Sequence, residues 1–374
     1  MKYFIIAGEA SGDLHGSNLI LALRQLDSES TFEFWGGDKM ATAAGKAPLR
    51  HIADLSFMGV WEVLKNLRTI RRHFKECKRD ISVFEPDALI LIDYPGFNLK
   101  LSAWAKQNGY NVQYYISPKL WAWNKGRIKA LRAHVNHLYT ILPFETAFYK
   151  DQNLPTTYVG NPLVEQITAF KNRHNSPSPA QPPIIALLPG SRRQEVRRIL
   201  PVMLDVVCRF PDYSFVIAGI HTIPEKLYRE ILQTHPYGEK VQLVFDATYE
   251  ILSKAKMGLI TSGTSTLEAA LFGLPQVVCY KTSPLTYVLA KLFVKIKFIS
   301  LVNLIMDASV VTELIQGQLN ADNLEEEMHR LLHPEHIHKL KTDYVVLYEK
   351  LGTQSASREV AKGVVRSIAL SSNE

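Results

Sequence analysis

Several short stretches of this chain put chemically capable side chains where an apolar run ends. Asp93 closes the run Asp87-Ala88-Leu89-Ile90-Leu91-Ile92-Asp93 and is followed by Tyr94-Pro95-Gly96-Phe97-Asn98. A carboxylate at the end of an apolar strand is a candidate general base, because partial burial raises its proton affinity. The alternative is that Asp93 caps a helix beginning near Asn98, a role Asn98 can fill itself. Gly8-Glu9-Ala10-Ser11-Gly12-Asp13 follows another apolar run, Tyr3–Ala7. Its glycines, with Gly16, are spaced G-x-x-x-G-x-x-x-G, which differs from the G-x-G-x-x-G dinucleotide fingerprint. The run Thr31–Trp35 leads into Gly36-Gly37 with no acid where a ribose ligand is expected, which argues against a nicotinamide cofactor. The first loop either brings backbone amides to a substrate or is a tight turn with Ser11 as helix cap.

Two further turns suit phosphate. Leu188-Pro189-Gly190-Ser191-Arg192-Arg193 joins a strand to a helix, so free N–H groups, the helix dipole and the Arg192 cation favour an anion there. No G-x-x-x-x-G-K-[ST] P-loop occurs. Arg193, Arg197 and Arg198 read as plain surface charge. Ser262-Gly263-Thr264-Ser265-Thr266-Leu267-Glu268 is a second such junction. Glu268 either accepts hydrogen bonds from a ribose or completes a capping box with Ser265. Ser117-Pro118-Lys119-Leu120-Trp121-Ala122-Trp123 offers two tryptophans and a lysine at a strand end. Trp121 and Trp123 form either an aromatic platform for sugars and acyl chains or part of the core.

Positioning such loops takes parallel strands with helices between them. The first half alternates strand and helix, with strands at Tyr3–Ala7, Thr31–Trp35, Asp87–Asp93, Asn111–Ser117 and His137–Leu142. The segment 171–183 reads KNRHNSPSPAQPP, polar and aperiodic, and is expected to link two domains. The alternation then resumes at Ile184–Leu188, Tyr213–Ala218, Val241–Phe245, Met257–Thr261 and Gln276–Tyr280, and the chain from Ala321 onward reads as helical. Near-continuous apolar strands imply parallel sheets covered on both faces. The expected architecture is therefore α/β: two Rossmann-like domains, residues 1–170 and 184–350, facing a central cleft that carries the ligands, with a helical C-terminal tail.

Composition bounds the rest. The chain has 374 residues, 47% hydrophobic and 21% charged, which suits two packed domains and excludes wholesale disorder. The three cysteines, Cys77, Cys208 and Cys279, form no CxxC pair, so neither a zinc ribbon nor a disulfide framework is indicated. The apolar stretch Leu285–Met306 is broken by Lys291, Lys295 and Lys297 and makes a poor membrane span. The net charge of +7 suits nucleic acid, an anionic membrane or phosphate-bearing substrates alike. No motif pairs a basic cluster with a nucleic-acid reading element, so nucleic acid is not the expected partner. His333, His336 and His338 sit in a polar helical tail and read as a solvated face, so no metal is expected. Val60–Phe84 is amphipathic: Val60, Val63, Leu67, Ile70, Phe74, Cys77, Ile81 and Phe84 line one side, with Lys65, Arg68, Arg72, Lys75 and Arg79 on another. That basic side is either solvated or meets an anionic membrane.

Taken together, the motifs AGEASGD (7–13), FMGVWEVL (57–64), IDYPGFN (92–98), YISPKLWAW (115–123), LPFE (142–145), YVGNPLVE (158–165), LLPGSRRQEV (187–196), SGTSTLEAAL (262–271) and SLVNLI (300–305) resemble the lipid-A-disaccharide synthase family, in its order and over most of the chain. The resemblance implies a GT-B glycosyltransferase, inverting and metal-independent, with no cofactor. It would move 2,3-diacylglucosamine from UDP-2,3-diacylglucosamine onto 2,3-diacylglucosamine 1-phosphate (lipid X). It also implies a cytoplasmic enzyme on the inner-membrane surface, and a C-terminal helix, 354–370, that rejoins the first domain. That domain would take the acceptor and its lipid, and the second the UDP-sugar. Glu9, a second catalytic candidate, and Ser11 match the family's first loop, with Gly12 beside them. Asp93 matches its catalytic acid, and Arg192, Glu268 and Asn303 match its nucleotide side. Many members carry a second acid where this chain has Gly96, which leaves Asp93 as the acidic candidate of that loop. Other UDP-sugar enzymes of the same fold share the second-half turns, namely a peptidoglycan-type N-acetylglucosaminyltransferase and a UDP-GlcNAc 2-epimerase.

Overall fold

The structure is a computed structural model that describes residues 1–55, 67–118, 120, 128–174, 182–284, 287 and 297–371. The chain divides into two compact units, Met1–Pro162 with Thr353–Glu374, and Leu163–Gly352.

The first unit runs β1 (Lys2–Ala7), α1 (Ala10–Leu26), β2 (Thr31–Gly36), α2 (Asp38–Ala44), β3 (Arg50–His51), α3 (Leu67–Phe84), β4 (Ala88–Ile92), α4 (Pro95–Gln107), β5 (Val112–Tyr115), α5 (Ile128–His134), β6 (His137–Thr140), α6 (Pro143–Lys150) and β7 (Thr156–Tyr158). Its seven strands are all parallel, in the order β3-β2-β1-β4-β5-β6-β7. Each sheet face needs its own cover, and β1 shows how the sequence provides for both. Tyr3, Ile5 and Ala7 enter one cluster with Leu19, Ile20 and Leu23 of α1, while Phe4 and Ile6 enter the other with Cys77 and Ile81 of α3. The C-terminal helix, Ala356–Ser371, adds Val360, Ala361 and Val364 to the α1 side. It is pinned by Gln113 Nε2 donating to Ser367 Oγ (2.9 Å) while Tyr139 Oη donates to Gln113 Oε1 (2.9 Å). On α3, Cys77 and Ile81 face inward, whereas Arg68, Arg71, Arg72, Lys75 and Arg79 lie on the outer, more accessible side. The N-terminal part of the expected amphipathic helix, 60–66, lies outside the described residues.

The second unit continues with α7 (Pro162–Arg173), β8 (Ile184–Leu188), α8 (Arg193–Leu204), β9 (Ser214–Gly219), α9 (Glu225–Thr234), β10 (Val241–Phe245), α10 (Thr248–Lys254), β11 (Ala255–Thr261), α11 (Thr264–Leu271), β12 (Gln276–Tyr280), α12 (Leu301–Met306), β13 (Thr312–Ile315), α13 (Ala321–Arg330) and α14 (Pro334–Leu351). Six parallel strands lie in the order β10-β9-β8-β11-β12-β13. The chain leaves the first unit at Pro162, ahead of the polar stretch 171–183. Val164, Ile167 and Phe170 of α7 are buried, and the Phe170 ring meets Tyr249 and Phe272 of the second unit edge-on, which carries the helix with that unit. Residues 175–181 of the polar stretch lie outside the described residues. Three strands escape the sequence pattern, β3, β7 and β13; each is short and lies at a sheet edge.

Strand order reverses beside β1 and β4 in the first sheet, and beside β8 and β11 in the second. In open parallel sheets such reversals open a crevice at the carboxyl ends of the strands, where ligands bind.

Candidate active site

Four of the loops singled out above fall on these reversals. Ala7 pairs with Ile92, so the Gly8–Asp13 loop after β1 and the Asp93–Asn98 loop after β4 are neighbours. Leu188 pairs with Ile260, which makes the Gly190–Arg192 and Ser262–Glu268 turns neighbours in the second unit.

In the first loop, Glu9 is the N-cap of α1 in extended backbone (φ −143°, ψ 162°), and its side chain does not cap that end. Ser11 therefore lies inside the helix and is not its cap; Glu9 and Ser11 are exposed, and Gly12 is buried against Ala7. Gly8 is required by close approach, because a Cβ there would lie 2.4 Å from the Tyr94 ring. Asp13, the last residue of the AGEASGD motif, to which the sequence assigns no role, is buried and holds the start of α2. Its Oδ1 accepts from Gly37 N (2.7 Å) and Met40 N (3.1 Å), and its Oδ2 from Lys39 N (3.1 Å). The only hint in the sequence is an acid that closes a strand–glycine–helix junction. His15, one turn beyond Ser11, sets its ring against the edge of Tyr115. Burial, then the Lys39 charge, hold its pKa down at about 4.

Asp93 is half-buried and, with Tyr94, adopts left-handed backbone (φ 44° and 49°). Ile116, just past the adjacent β5, does the same (φ 67°) although it is β-branched. Such conformations cost on the order of 1 kcal/mol each and persist where surrounding bonds enforce them. Here the enforcing groups are visible. Asn98 Nδ2 donates to Ile92 O (3.2 Å) and Asp93 O (2.8 Å), Tyr114 Oη donates to Asp93 O (2.7 Å), and Asp93 N donates to Tyr115 O (2.9 Å). The helix begins at Pro95, so Asn98 is not a cap. It is fully buried one turn inside α4, strapping the strand end, and its Oδ1 has no partner among the described residues. Tyr94 Oη donates to Leu55 O (3.0 Å), and burial, then the Glu9 charge, raise its pKa. Gly96 is exposed, and a Cβ there would meet no atom within 4 Å.

After β5, Ser117 Oγ donates to the buried Glu145 Oε1 (2.6 Å), and Tyr149 Oη donates to Pro118 O (2.8 Å). Glu145 of LPFE thus anchors the segment that leads to the tryptophans. Trp121 and Trp123, with Lys119, lie outside the described residues.

The two turns of the second unit differ in a way the sequence does not announce. At the first, Glu195 Oε2 accepts from Ser191 N (3.0 Å) and Arg192 N (3.1 Å), and Oε1 accepts from Arg192 Nη1 (2.9 Å). The amides expected to cradle a phosphate are thus already engaged by a carboxylate. At the second, the N-cap of α11 is Gly263, which has no side chain to cap the helix, so Ser265 and Glu268 form no capping box. Thr264 is exposed and Ser265 half-buried. Glu268 Oε1 instead accepts from Tyr249 Oη (3.1 Å); burial raises the Glu268 pKa and that hydrogen bond opposes the rise.

Asn303 is fully buried and its amide is saturated. Nδ2 donates to Val311 O (2.8 Å) and Glu313 Oε1 (2.9 Å), and Oδ1 accepts from Val310 N and Val311 N (2.9 Å each). With every donor and acceptor used, Asn303 is a strut rather than a ligand contact. Glu313, which belongs to no motif, takes the amides of Ile299 and Ser300, while Ser262 Oγ donates to Ile299 O (2.8 Å). The Ser262 turn and the SLVN turn are thereby one hydrogen-bonded unit. Arg198 is not plain surface charge. It is half-buried and lines a cavity of about 580 Å³ with Lys281, Thr282, Tyr287, Gln316 and Asn320, past the ends of β12 and β13.

Among the described residues no group of three His, Cys, Asp or Glu is placed to hold a metal ion, and His333 to His338 open α14 without forming one. No helix among the described residues is long and apolar enough to cross a membrane.

Two parallel α/β units of this kind define the GT-B class. The fold is similar to that of UDP-GlcNAc 2-epimerase from Neisseria meningitidis, solved bound to UDP-GlcNAc (TM-score 0.68, 15% identity, 98% of this chain and 100% of that one). It is similar as well to the glycotransferase of kitacinnamycin (TM-score 0.63, 12% identity, 98% of each chain). At these identities the likeness shows the fold alone. Sequence goes further: the family model described as Lipid-A-disaccharide synthetase matches residues 3–365. The lipid-A-disaccharide synthase of Geobacter sulfurreducens is 35% identical over 97% of this chain and 96% of its own length. That of Syntrophus aciditrophicus is 36% identical over 96% and 95%. The chain belongs to the lipid-A-disaccharide synthase family.

Proposed function

We propose that this protein is a hexosyltransferase that makes the lipid A disaccharide, moving 2,3-diacylglucosamine from its UDP carrier to the 6-hydroxyl of lipid X. Family membership supports the overall reaction. The observation that carries the assignment of the base is the strained Asp93–Tyr94 loop at the first strand-order reversal, held by Asn98 and Tyr114.

In this reading Asp93 removes the proton of the acceptor hydroxyl as its oxygen attacks the anomeric carbon. The bond from that carbon to the UDP oxygen breaks in the same displacement, so the configuration inverts. The sugar passes through an oxocarbenium-like state, as in glycoside chemistry. UDP leaves carrying negative charge, which the Arg192 guanidinium and the uncapped first turn of α11, at Thr264 and Ser265, would stabilise. Each such donor is worth on the order of 3 kcal/mol in the transition state. No step of this scheme calls on a metal ion. Glu268, steadied by Tyr249, would accept from the ribose hydroxyls, and Asn303 and Glu313 would hold the turn beneath them. Gly190, Ser191 and Gly263 shape the two turns. Glu9 and Ser11, exposed beside Asp93, would meet the acceptor, as would Trp121 and Trp123. The basic face of α3 (Arg68, Arg71, Arg72, Lys75 and Arg79) suits peripheral attachment to the anionic cytoplasmic surface of the inner membrane.

A radiolabel transfer assay with UDP-2,3-diacylglucosamine and lipid X tests the reaction, with UDP-GlcNAc as the competing donor. Transfer with the diacylated donor alone is expected. Turnover confined to UDP-GlcNAc would overturn the reading in favour of the N-acetylglucosaminyltransferase or epimerase alternatives. Asp93→Asn is expected to lower kcat by about 100- to 10,000-fold with UDP affinity intact; near-normal turnover would remove Asp93 as the base.

A further inference from the structure

We propose that Glu195 is a positioning residue for the donor diphosphate: it closes the backbone amides of the Gly190–Arg192 turn and holds the Arg192 guanidinium as the group that turn presents to the phosphates. The proposal rests on the reading of Arg192 as a diphosphate contact and deepens it.

The turn is built around the carboxylate. Both Glu195 oxygens are engaged, Oε2 by the Ser191 and Arg192 amides and Oε1 by Arg192 Nη1. Gly190 makes this possible. Its φ is +115°, and a Cβ there would fall 2.6 Å from Glu195 Oε2 and 2.7 Å from Glu195 Cβ. A glycine at that point is therefore needed for Glu195 to fold back onto the turn, and not only for a phosphate to approach it. An incoming phosphate that sought the same two amides would have to break two charge-assisted hydrogen bonds and face a carboxylate. The neighbouring turn offers an easier seat, since α11 starts without a side-chain cap and no atom lies within 4 Å of a Cβ at Gly263.

The Arg192 side chain is 80% exposed and Glu195 15% exposed, so the anchor is shielded while the cation projects. One of the five guanidinium N–H donors is held by Glu195, which leaves the rest of the planar fork for phosphate oxygens. Fixing one edge of the guanidinium before the ligand arrives lowers the ordering cost of binding.

The test is a double-mutant cycle on the full chain, read by calorimetric UDP binding. Glu195→Gln is expected to raise the Kd for UDP about tenfold in the wild-type background and less than about twofold in the Arg192→Ala background. A residue that merely capped α8 would instead lower thermal stability and leave UDP affinity, or the coupling to Arg192, unchanged. Glu195→Asp, too short to reach both amides and Nη1, serves as the second variant and is expected to fold and bind UDP weakly. Tighter UDP binding by Glu195→Gln would make Glu195 a competitor of phosphate and overturn the proposal. Additive losses in the double mutant would overturn it too. If Arg192→Ala alone left UDP affinity unchanged, the assignment of Arg192 itself would fail, and the proposal with it.

Discussion

Removing the Asn98 side chain should separate the cost of folding the Asp93 loop from the cost of misplacing the base. Asn98→Ala deletes two hydrogen bonds, to Asp93 O at 2.8 Å and Ile92 O at 3.2 Å. At about 1 kcal/mol net for each, the loss is about 2 kcal/mol. Part of it is returned, because the same side chain carries a buried Oδ1 without a partner among the described residues. The expected destabilisation is therefore about 1–2 kcal/mol. The loop does not come apart, since Tyr114 Oη still reaches Asp93 O at 2.7 Å and Asp93 N still reaches Tyr115 O at 2.9 Å. What changes is the balance at Asp93 and Tyr94, whose left-handed backbone costs on the order of 1 kcal/mol per residue. With one clamp gone that strain can relax, and a shift of about 1 Å in a catalytic group costs roughly 100-fold in rate. Urea unfolding measures the first quantity and single-turnover transfer the second, with UDP binding as a control that should not move. Turnover within about twofold of wild type, at the stability loss just derived, would refute the idea that Asn98 sets the base. A parallel loss of UDP affinity would refute its confinement to the Asp93 loop.

Two further outcomes follow from single positions. Gly96→Asp should fold and gain about 0.5–1 kcal/mol of stability. The site is exposed in the first turn of α4, nothing crowds a Cβ there, and an acid in a first turn is favoured while helical glycine is not. Steady-state kinetics should show little change in kcat if Asp93 alone is the base; a rise of an order of magnitude would show that this loop works better with two acids. The third outcome concerns pH. The folded His15 pKa, about 4, lies below the ordinary 6.5, so its contribution to stability is whole above pH 6.5 and is lost as pH falls toward 4. Wild type should lose up to about 3 kcal/mol relative to His15→Leu over that window, in urea unfolding at a series of pH values; a difference independent of pH would contradict it.

The run of apolar residues before each loop is enough to place the strands, and a strand pattern that starts twice is enough for two parallel α/β units. Both follow from sequence because a parallel strand is buried on both faces and leaves a near-continuous apolar signature. Edge strands β3, β7 and β13 carry no such signature, so periodicity does not reveal them. The loops after β1, β4, β8 and β11 are legible as the chemical ones. That they form two neighbouring pairs depends on strand order, a long-range property absent from local spacing.

Side-chain roles are decided by tertiary contacts. The Ser265-x-x-Glu268 spacing fits a capping box, yet α11 starts two residues too early for one, and Tyr249, nineteen residues upstream, takes the carboxylate. The Arg192-x-x-Glu195 spacing has the acid of a capping box but no Ser or Thr at the cap, yet there the carboxylate folds back onto the cap amide and seals the turn. Two strand–turn–helix junctions of similar composition thus end with opposite hydrogen-bonding states. Residue type and spacing determine which groups are available; which donors remain open for a ligand is settled only when the fold has assigned every buried polar group a partner.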